Sequence, residues 1–181
     1  MLKTMTRLDM INDGDDDAAT QLLEPLIERA PHIARRVTSH RPFKSVAALT
    51  ESIILELRHL DRSECITLFQ AHPELAPLDP LAMTNASQRE QGRLDLTSLD
   101  TEHRAQLKQL NAAYRAKFGF PFITALVRHK NLDSVLVEFA ERLSADEASE
   151  IKRALEEICV VSAERVQRIV SDNTSSTVAQ A

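Results

Sequence analysis

Glycine is scarce in this sequence. Only three of its 181 residues are glycines, Gly14, Gly92 and Gly119, and they lie far apart. A phosphate-binding P-loop and a dinucleotide-binding fingerprint both need several glycines close together. A β fold rich in hairpins needs glycines at regularly spaced turns. The shortage of glycine therefore argues against nucleotide-dependent chemistry and against a hairpin-rich β fold.

Cysteine pairs, metal-binding histidine patterns and long apolar runs are also lacking. Cys65 and Cys159 are far apart and form no CxxC motif, which argues against a disulfide framework and favours a reducing compartment. The six histidines form neither an HExxH nor an HxxxH motif, so we expect no metal site. No apolar run reaches the roughly 18 residues of a membrane span, and the first residues lack a signal-peptide pattern.

The charge and composition are typical of one globular domain. The net charge of −5 gives no reason to expect nucleic acid or an anionic membrane as a partner, so we expect the protein to bind neither. The cysteine pattern leads us to expect a cytoplasmic protein. The hydrophobic pattern is helical almost throughout. The sequence predicts an all-α fold, with a single compact domain of about eight helices over residues 1–170. A polar, flexible C-terminal tail is predicted over residues 171–181.

Local signals place several of these helices. The apolar spacing predicts helices over residues 45–60, 100–118 and 132–143. Asp61 and Glu64 form a capping-box pattern that begins another helix. That helix should end at His72, because Pro73 disfavours the α conformation in the residue before it.

His72 is the first candidate for chemistry. It lies on the apolar face of its predicted helix, in the last turn before a proline-rich loop. A neutral imidazole there can act as an acid or a base near pH 7. A histidine in the last turn can equally cap the free carbonyl groups of the helix. Position alone leaves both interpretations open.

A polar element follows the proline-rich loop. If residues 84–91 are helical, Ser87, Glu90 and Gln91 share one face and bring a hydroxyl, a carboxylate and an amide together. Three polar side chains on one face usually form a solvated surface. The loop from His72 leads directly to this helix, however, which favours a second interpretation in which the two polar sets face one another.

Three of the six phenylalanines lie within one short segment, at Phe118, Phe120 and Phe122. Because Gly119 and Pro121 separate them, the segment cannot be the interior of a regular helix. It can form an aromatic wall with exposed backbone amides that binds a flat, carbonyl-rich ring. It can equally be a buried loop that fills the core.

Arg165 is predicted on the buried face of the last helix, seven residues after Ile158. A buried guanidinium requires a carboxylate, a cluster of carbonyl groups or an anionic ligand. The alternative is an arginine near a helix end whose charged group reaches solvent.

Taken in order, three motifs resemble those of one enzyme family. They are HPELA at residues 72–76, TxxSxxEQ at residues 84–91 and NxxYxxKFGFPFI at residues 111–123. In this order they resemble the family of 2-oxo-4-hydroxy-4-carboxy-5-ureidoimidazoline (OHCU) decarboxylases, which act between urate and allantoin. The resemblance extends over residues 8–170, nearly the whole chain.

The resemblance implies an all-α helical bundle, usually a homodimer, that acts on a small ureidoimidazoline substrate without a metal or organic cofactor. It puts His72 in the position of the catalytic histidine. Ser87, Glu90 and Gln91 match the family's Ser-x-x-Glu-Gln element, and Arg165 matches the arginine of its last helix. The positions that line the substrate in the family correspond to Pro73, Phe122, Ile123, Thr124, Ala125 and Leu126. The last five of these do so largely through their backbone.

The chemistry of such a substrate is consistent with these residues. Its carboxylate lies next to a ring C=N bond, so the electron pair left by CO2 can move onto nitrogen without a cofactor. We assign the proton that is then needed to His72, whose charged form a carboxylate such as Glu90 favours. Arg165 should hold a ring or ureido oxygen, because pairing with the departing carboxylate would stabilise the ground state.

Two functions of different classes fit the sequence. The first is a cofactor-independent decarboxylase that makes (S)-allantoin. The second is a catalytically inactive helical dimer or partner-binding module with the same fold. A lesser variant of the first is an enzyme that acts on a chemically related ureido substrate, which the short, proline-rich loop after Ala76 would permit.

Overall fold

The computed structural model of the chain describes residues 5–171, and these form helices and loops without a β-strand. The predicted all-α fold is confirmed. Nine α-helices lie in this range: α1 (Arg7–Asp13), α2 (Asp16–Leu23), α3 (Pro31–Thr38), α4 (Val46–Arg58), α5 (Arg62–Gln70), α6 (Asn85–Gly92), α7 (Thr101–Phe118), α8 (Leu132–Leu143) and α9 (Glu147–Val166). Short 3₁₀ turns lie at Glu24–Leu26, Pro80–Ala82 and Leu126–Arg128, and a π-helical turn at Gln167–Ser171. None of the helices in this range has the length and apolar character of a membrane span.

The predicted helix boundaries agree with the structure to within two residues. The helices predicted over residues 45–60, 100–118 and 132–143 are α4, α7 and α8. The capping box at the start of α5 is confirmed. Asp61 Oδ1 accepts a hydrogen bond from Glu64 N at 2.9 Å, and Asp61 N donates to Glu64 Oε2 at 3.0 Å.

The end of α5 differs from the prediction. The helix ends at Gln70, two residues before His72. Its last turn tightens into i→i+3 hydrogen bonds, in which His72 N donates to Phe69 O at 3.0 Å. Pro73 accounts for this tightening, because it disfavours the α conformation at His72. His72 therefore lies just beyond the helix.

The described chain divides into two compact units. The first unit contains residues 5–59 and 162–171, and its core includes Ile11, Leu23, Ile33, Leu49 and Ile53. The second unit contains residues 60–161, which comprise α5 to α8 and most of α9. The single domain over residues 1–170 stays a prediction. Of the predicted tail, residues 172–181 lie outside the described residues.

An aromatic cluster fills the core of the second unit. Tyr114 lies at its centre, with its ring centroid 4.6 Å from that of Phe118, 5.9 Å from Phe120, 5.4 Å from Phe122 and 5.6 Å from Phe139. The rings of Phe122 and Phe139 stack at 3.9 Å. All three phenylalanines of the third motif are buried, so the buried-loop interpretation is confirmed for their side chains.

Gly119 and Gly92 offer a matched pair of substitutions. Gly119 follows α7 with a φ of +78°, whereas Gly92 is the last residue of α6, and at both an added Cβ would meet no atom within 4 Å. We expect Gly119→Ala to lower the free energy of unfolding by about 1–2 kcal/mol, because alanine is strained in the left-handed region. Gly92→Ala should raise it by about 0.5–1 kcal/mol. Urea unfolding measures both changes, and equal effects would contradict the prediction.

Candidate active site

His72 caps the end of α5. Its Nδ1 lies 3.0 Å from Leu68 O. A carbonyl oxygen can only accept, so Nδ1 carries a hydrogen and donates it. Nε2 is then the nitrogen that gains and loses a proton. The capping interpretation is confirmed, and it is compatible with acid–base chemistry because the cap determines which nitrogen can react.

Gln91 holds the turn that follows His72. Its Oε1 accepts a hydrogen bond from Ala76 N and its Nε2 donates one to Glu74 O, both at 2.8 Å. Ala76 has a φ of +49°, a conformation that residues with a side chain seldom adopt. The buried Gln91 amide thus fixes a strained piece of backbone, which gives this residue a positioning role.

Two residues of α7 contact the same turn. Asn111 Nδ2 donates to Leu75 O at 2.9 Å, and Arg115 donates to Glu74 Oε1 through Nε at 2.9 Å and Nη2 at 2.6 Å. Asn111 Oδ1 is buried and has no hydrogen-bond partner among residues 5–171. The first two motifs and the start of the third therefore meet at this turn.

The polar face of α6 is only partly solvated. Ser87 and Gln91 are buried, whereas Glu90 is partly exposed. Thr84 caps the helix, since Ser87 N donates to Thr84 Oγ1 at 3.3 Å and that hydroxyl donates to Ser87 Oγ at 3.3 Å. The predicted helix is confirmed. The interpretation of its polar face as a solvated surface is wrong for Ser87 and Gln91, because both residues are buried.

The predicted substrate-lining segment, residues 122–126, is buried and held by charged side chains. Ile123 O accepts a hydrogen bond from Arg142 Nη1 at 2.8 Å. Ala125 N donates to Glu157 Oε2 at 2.9 Å. These bonds come from α8 and α9, and they fix the path of the backbone on both sides of the segment's centre.

The centre and the end of the segment have their own partners. Thr124 Oγ1 donates to Glu138 Oε2 at 3.1 Å, and Leu126 O accepts a hydrogen bond from Arg93. The backbone N–H groups of residues 122–124, in contrast, donate to no residue within the described part of the chain. The segment therefore combines a fixed backbone with unused hydrogen-bond donors.

The charges that hold this segment form a buried network. Glu150 Oε1 accepts hydrogen bonds from Tyr114 OH and from Arg142 Nε (2.9 Å) and Nη2 (2.5 Å), and Arg142 Nη1 also donates to Glu138 Oε1 at 3.0 Å. Burial by itself would raise the pKa of Glu138. Hydrogen bonds from Arg142 and Thr124 and the charge of Arg142 outweigh burial and lower that pKa. Burial and the hydrogen bond to Glu150 raise the pKa of Tyr114.

Arg165 is buried, as predicted, and its partner is a carboxylate. Its Nη1 lies 2.8 Å from Glu28 Oε2, and both side chains are almost completely buried. The alternative of a solvent-reaching arginine is wrong, because Glu28 supplies a buried countercharge. Arg165 and Glu28 belong to the first unit, whereas all other predicted site residues belong to the second.

The order of these motifs and the helical fold agree with one protein family. Its model, described as OHCU decarboxylase, matches residues 12–167. The chain belongs to the OHCU decarboxylase family. The resemblance of the three motifs is thereby confirmed, over nearly the range expected from the sequence.

Relatives within the family share about a third of the sequence. The OHCU decarboxylase of Mus musculus is 36% identical over 168 residues, which cover 92% of this chain and 94% of the relative. That of Haloferax volcanii is 33% identical over 151 residues, with 83% and 88% covered.

Two solved structures have a similar fold. One is an (S)-allantoin synthase, with a TM-score of 0.68, 20% identity and coverage of 91% of this chain and 54% of that one. The other is an OHCU decarboxylase in the presence of (S)-allantoin, with a TM-score of 0.68, 18% identity and coverage of 88% and 100%.

Sequence reasoning assigned no role to the charged side chains that hold the segment 122–126. A signal was present on α8, where Arg142 continues the apolar series of Val135 and Phe139 at helical spacing. A charge at such a position must be buried and paired. Glu157 follows the buried Ala154 by three residues on α9, which is again helical spacing.

Gln91→Met tests the positioning role of Gln91. The variant keeps the side-chain volume but leaves two backbone groups of the turn without partners. We expect it to lower the free energy of unfolding by about 2 kcal/mol and to reduce kcat, because the turn after His72 loosens. Gln106→Met, on the exposed face of α7, is the matched control. Wild-type stability in the Gln91 variant, measured by urea unfolding, would contradict the role.

Glu138 should contribute to stability in a pH-dependent way. Because its pKa is lowered by folding, its contribution is complete above its ordinary value of 4.5 and is lost as the pH falls through the lower folded value. We expect the unfolding free energy of Glu138→Gln to depend less on pH below about 4.5 than that of the wild type. Urea unfolding at a series of pH values measures this. Glu141→Gln, at an exposed position of α8, should keep the wild-type slope.

Proposed function

We propose that the protein removes the carboxylate of OHCU as CO2 and releases (S)-allantoin, with His72 as its catalytic acid. The family match over residues 12–167 and the relatives of that name support the reaction and its place in urate degradation. We choose this site because of the way the turn after His72 is held. Gln91 and Asn111, one from each of the other two motifs, hold its backbone.

The substrate can lose CO2 without an electron sink from the protein. Its ring C=N bond accepts the electron pair as CO2 leaves, which gives an enol. The enzyme must therefore position the ring and supply a proton to the ureido-bearing carbon of that former C=N bond, while the hydroxyl of the carbon that lost CO2 becomes the carbonyl of allantoin. His72 donates this proton from Nε2, because Nδ1 keeps its hydrogen on Leu68 O. Glu90 balances the charge of the imidazolium, and solvent restores the proton for the next cycle.

Donors for the carbonyl groups of the substrate come from two places. One is the buried hydroxyl of Ser87, and the other is the set of backbone N–H groups of residues 122–124. Pro73, Ala125 and Leu126 complete the lining. A direct contact of Gln91 with substrate stays a prediction, in addition to its bonds with the turn.

Arg165 contributes a further contact with a ring or ureido oxygen. The departing carboxylate is a poor partner for it, because that pair would stabilise the ground state and slow the loss of CO2. Glu28 supports this role, since its buried carboxylate pairs with the guanidinium at 2.8 Å and allows the charge to stay inside the protein.

The active form is a homodimer in the cytoplasm, built on a single catalytic domain over residues 1–170. The resemblance to the family supports the dimer, and the cysteine pattern supports the compartment. Light scattering on the purified chain should give twice the monomer mass, and a monomer mass would contradict the dimer. Cell fractionation tests the compartment.

His72→Ala tests both the reaction and the alternative of an inactive partner-binding module. Substrate is generated in situ from urate with urate oxidase and hydroxyisourate hydrolase, and circular dichroism follows the appearance of one allantoin enantiomer. We expect the wild type to give a rapid signal and His72→Ala to lose at least about 100-fold in kcat with its fold intact. His32→Ala, an exposed histidine of α3, should keep full activity. A silent trace from folded wild type would favour the inactive module.

Arg165→Lys tests the role of Arg165 with the charge retained. Lysine can still pair with Glu28, but it cannot present the guanidinium's planar set of donors. We expect kcat/KM to fall about tenfold, the equivalent of about 1.4 kcal/mol, with little change in urea unfolding. If kcat and KM both stay at wild-type values, Arg165 does not contact the substrate.

A further inference from the structure

A surface cavity lies in the second unit, and none of its lining residues is a predicted site residue. It has a volume of about 430 Å³ and is lined by Arg128, Ser149, Lys152, Arg153, Glu156 and Glu157. Three of these side chains are cationic and two are anionic, so the lining carries an excess of positive charge although the chain as a whole is acidic.

A buried carboxylate holds two of the cations in place. Glu157 Oε1 accepts a hydrogen bond from Arg128 Nη1 at 2.7 Å and forms an ion pair with Arg153 Nε at 2.9 Å. The other oxygen, Oε2, is bonded to Ala125 N at 2.9 Å, so the carboxylate cannot turn away. One negative charge is thus shared by two guanidinium groups, each of which is about half exposed.

Lys152 adds a cation without a partner. Within residues 5–171 its ammonium group forms no hydrogen bond and no ion pair, and its side chain is exposed at the cavity. The hydroxyl of Ser149 is already used, since it donates to Asp146 Oδ2 at 2.6 Å. Arg153 Nη2 donates to Glu138 Oε1 at 3.4 Å. Among the described residues, the donors of the cavity that remain are those of Lys152, Nη2 of Arg128 and Nη1 of Arg153.

We propose that this cavity binds a small oxyanion, a carboxylate or a phosphate group, through Lys152, Arg128 and Arg153. Guanidinium groups match the geometry of both anions, and a concave setting strengthens the attraction relative to a flat surface. Because Glu157 holds the two arginines in advance, less side-chain entropy is lost on binding. The volume accommodates a small metabolite that carries such a group.

Isothermal titration calorimetry with inorganic phosphate tests the proposal without reference to catalysis. Sodium chloride keeps the ionic strength constant, and a second titration uses succinate as a carboxylate probe. We expect saturable binding of at least one probe to the wild type. Lys152→Ala should weaken that binding about tenfold, as expected for the loss of a charge-assisted hydrogen bond. Lys108→Ala, which removes an exposed lysine of α7, should leave it unchanged.

Three results would overturn the proposal. The first is the absence of saturable binding by either probe. The second is equal weakening by Lys152→Ala and Lys108→Ala, which would indicate a general effect of net charge. The third is binding that His72→Ala removes and Lys152→Ala leaves intact, because the anion would then occupy the predicted active site. Binding of phosphate alone or of succinate alone would support the cavity and identify its preferred anion.

Discussion

Buried pairs of carboxylate and guanidinium groups hold the part of the second unit on which the proposed site is built. Arg142 bonds to Glu138 and Glu150, and it also lies over the ring of Phe122 at 4.5 Å from the centroid. Loss of one partner from a buried pair costs about 3–5 kcal/mol, because the other charge is left without compensation. The backbone path of residues 122–126 is therefore held by interactions that also stabilise the fold. The same charges contact the aromatic cluster, through Arg142 over the ring of Phe122.

The turn after His72 is also held by buried side chains, but here the bonding groups are uncharged amides. Helices satisfy their own backbone, whereas a buried loop needs side chains to do so. Gln91 and Asn111 bond to three successive residues of that turn, and the strained φ of Ala76 persists because these bonds hold it. A site that is fixed before its ligand arrives loses less entropy when the ligand is oriented for reaction.

Much of this architecture could be predicted from local sequence. The α7 and α8 boundaries and the Asp61 capping box depend on spacing and on a few short-range contacts, so they were predictable to within two residues. Residues 72–76 and 84–91 were recognised as motifs, but which atoms join them was not predictable, because the Gln91 bonds span 15 and 17 residues. The pairing of Arg142 with Glu138 was within reach, because the two lie four residues apart on α8. Longer-range partners, such as Ala125 N for Glu157, were not predictable because only tertiary packing fixes them.

The N–H groups of residues 122–124, which donate to no residue between positions 5 and 171, have a consequence for the stability of the protein. A buried donor without an acceptor lowers stability by about 1–3 kcal/mol, and a bound carbonyl oxygen removes that loss. Any ligand that bonds to these groups stabilises the native state over the unfolded state by mass action. The resistance of the chain to heat and to proteases should then be higher when such a ligand is bound than when it is absent.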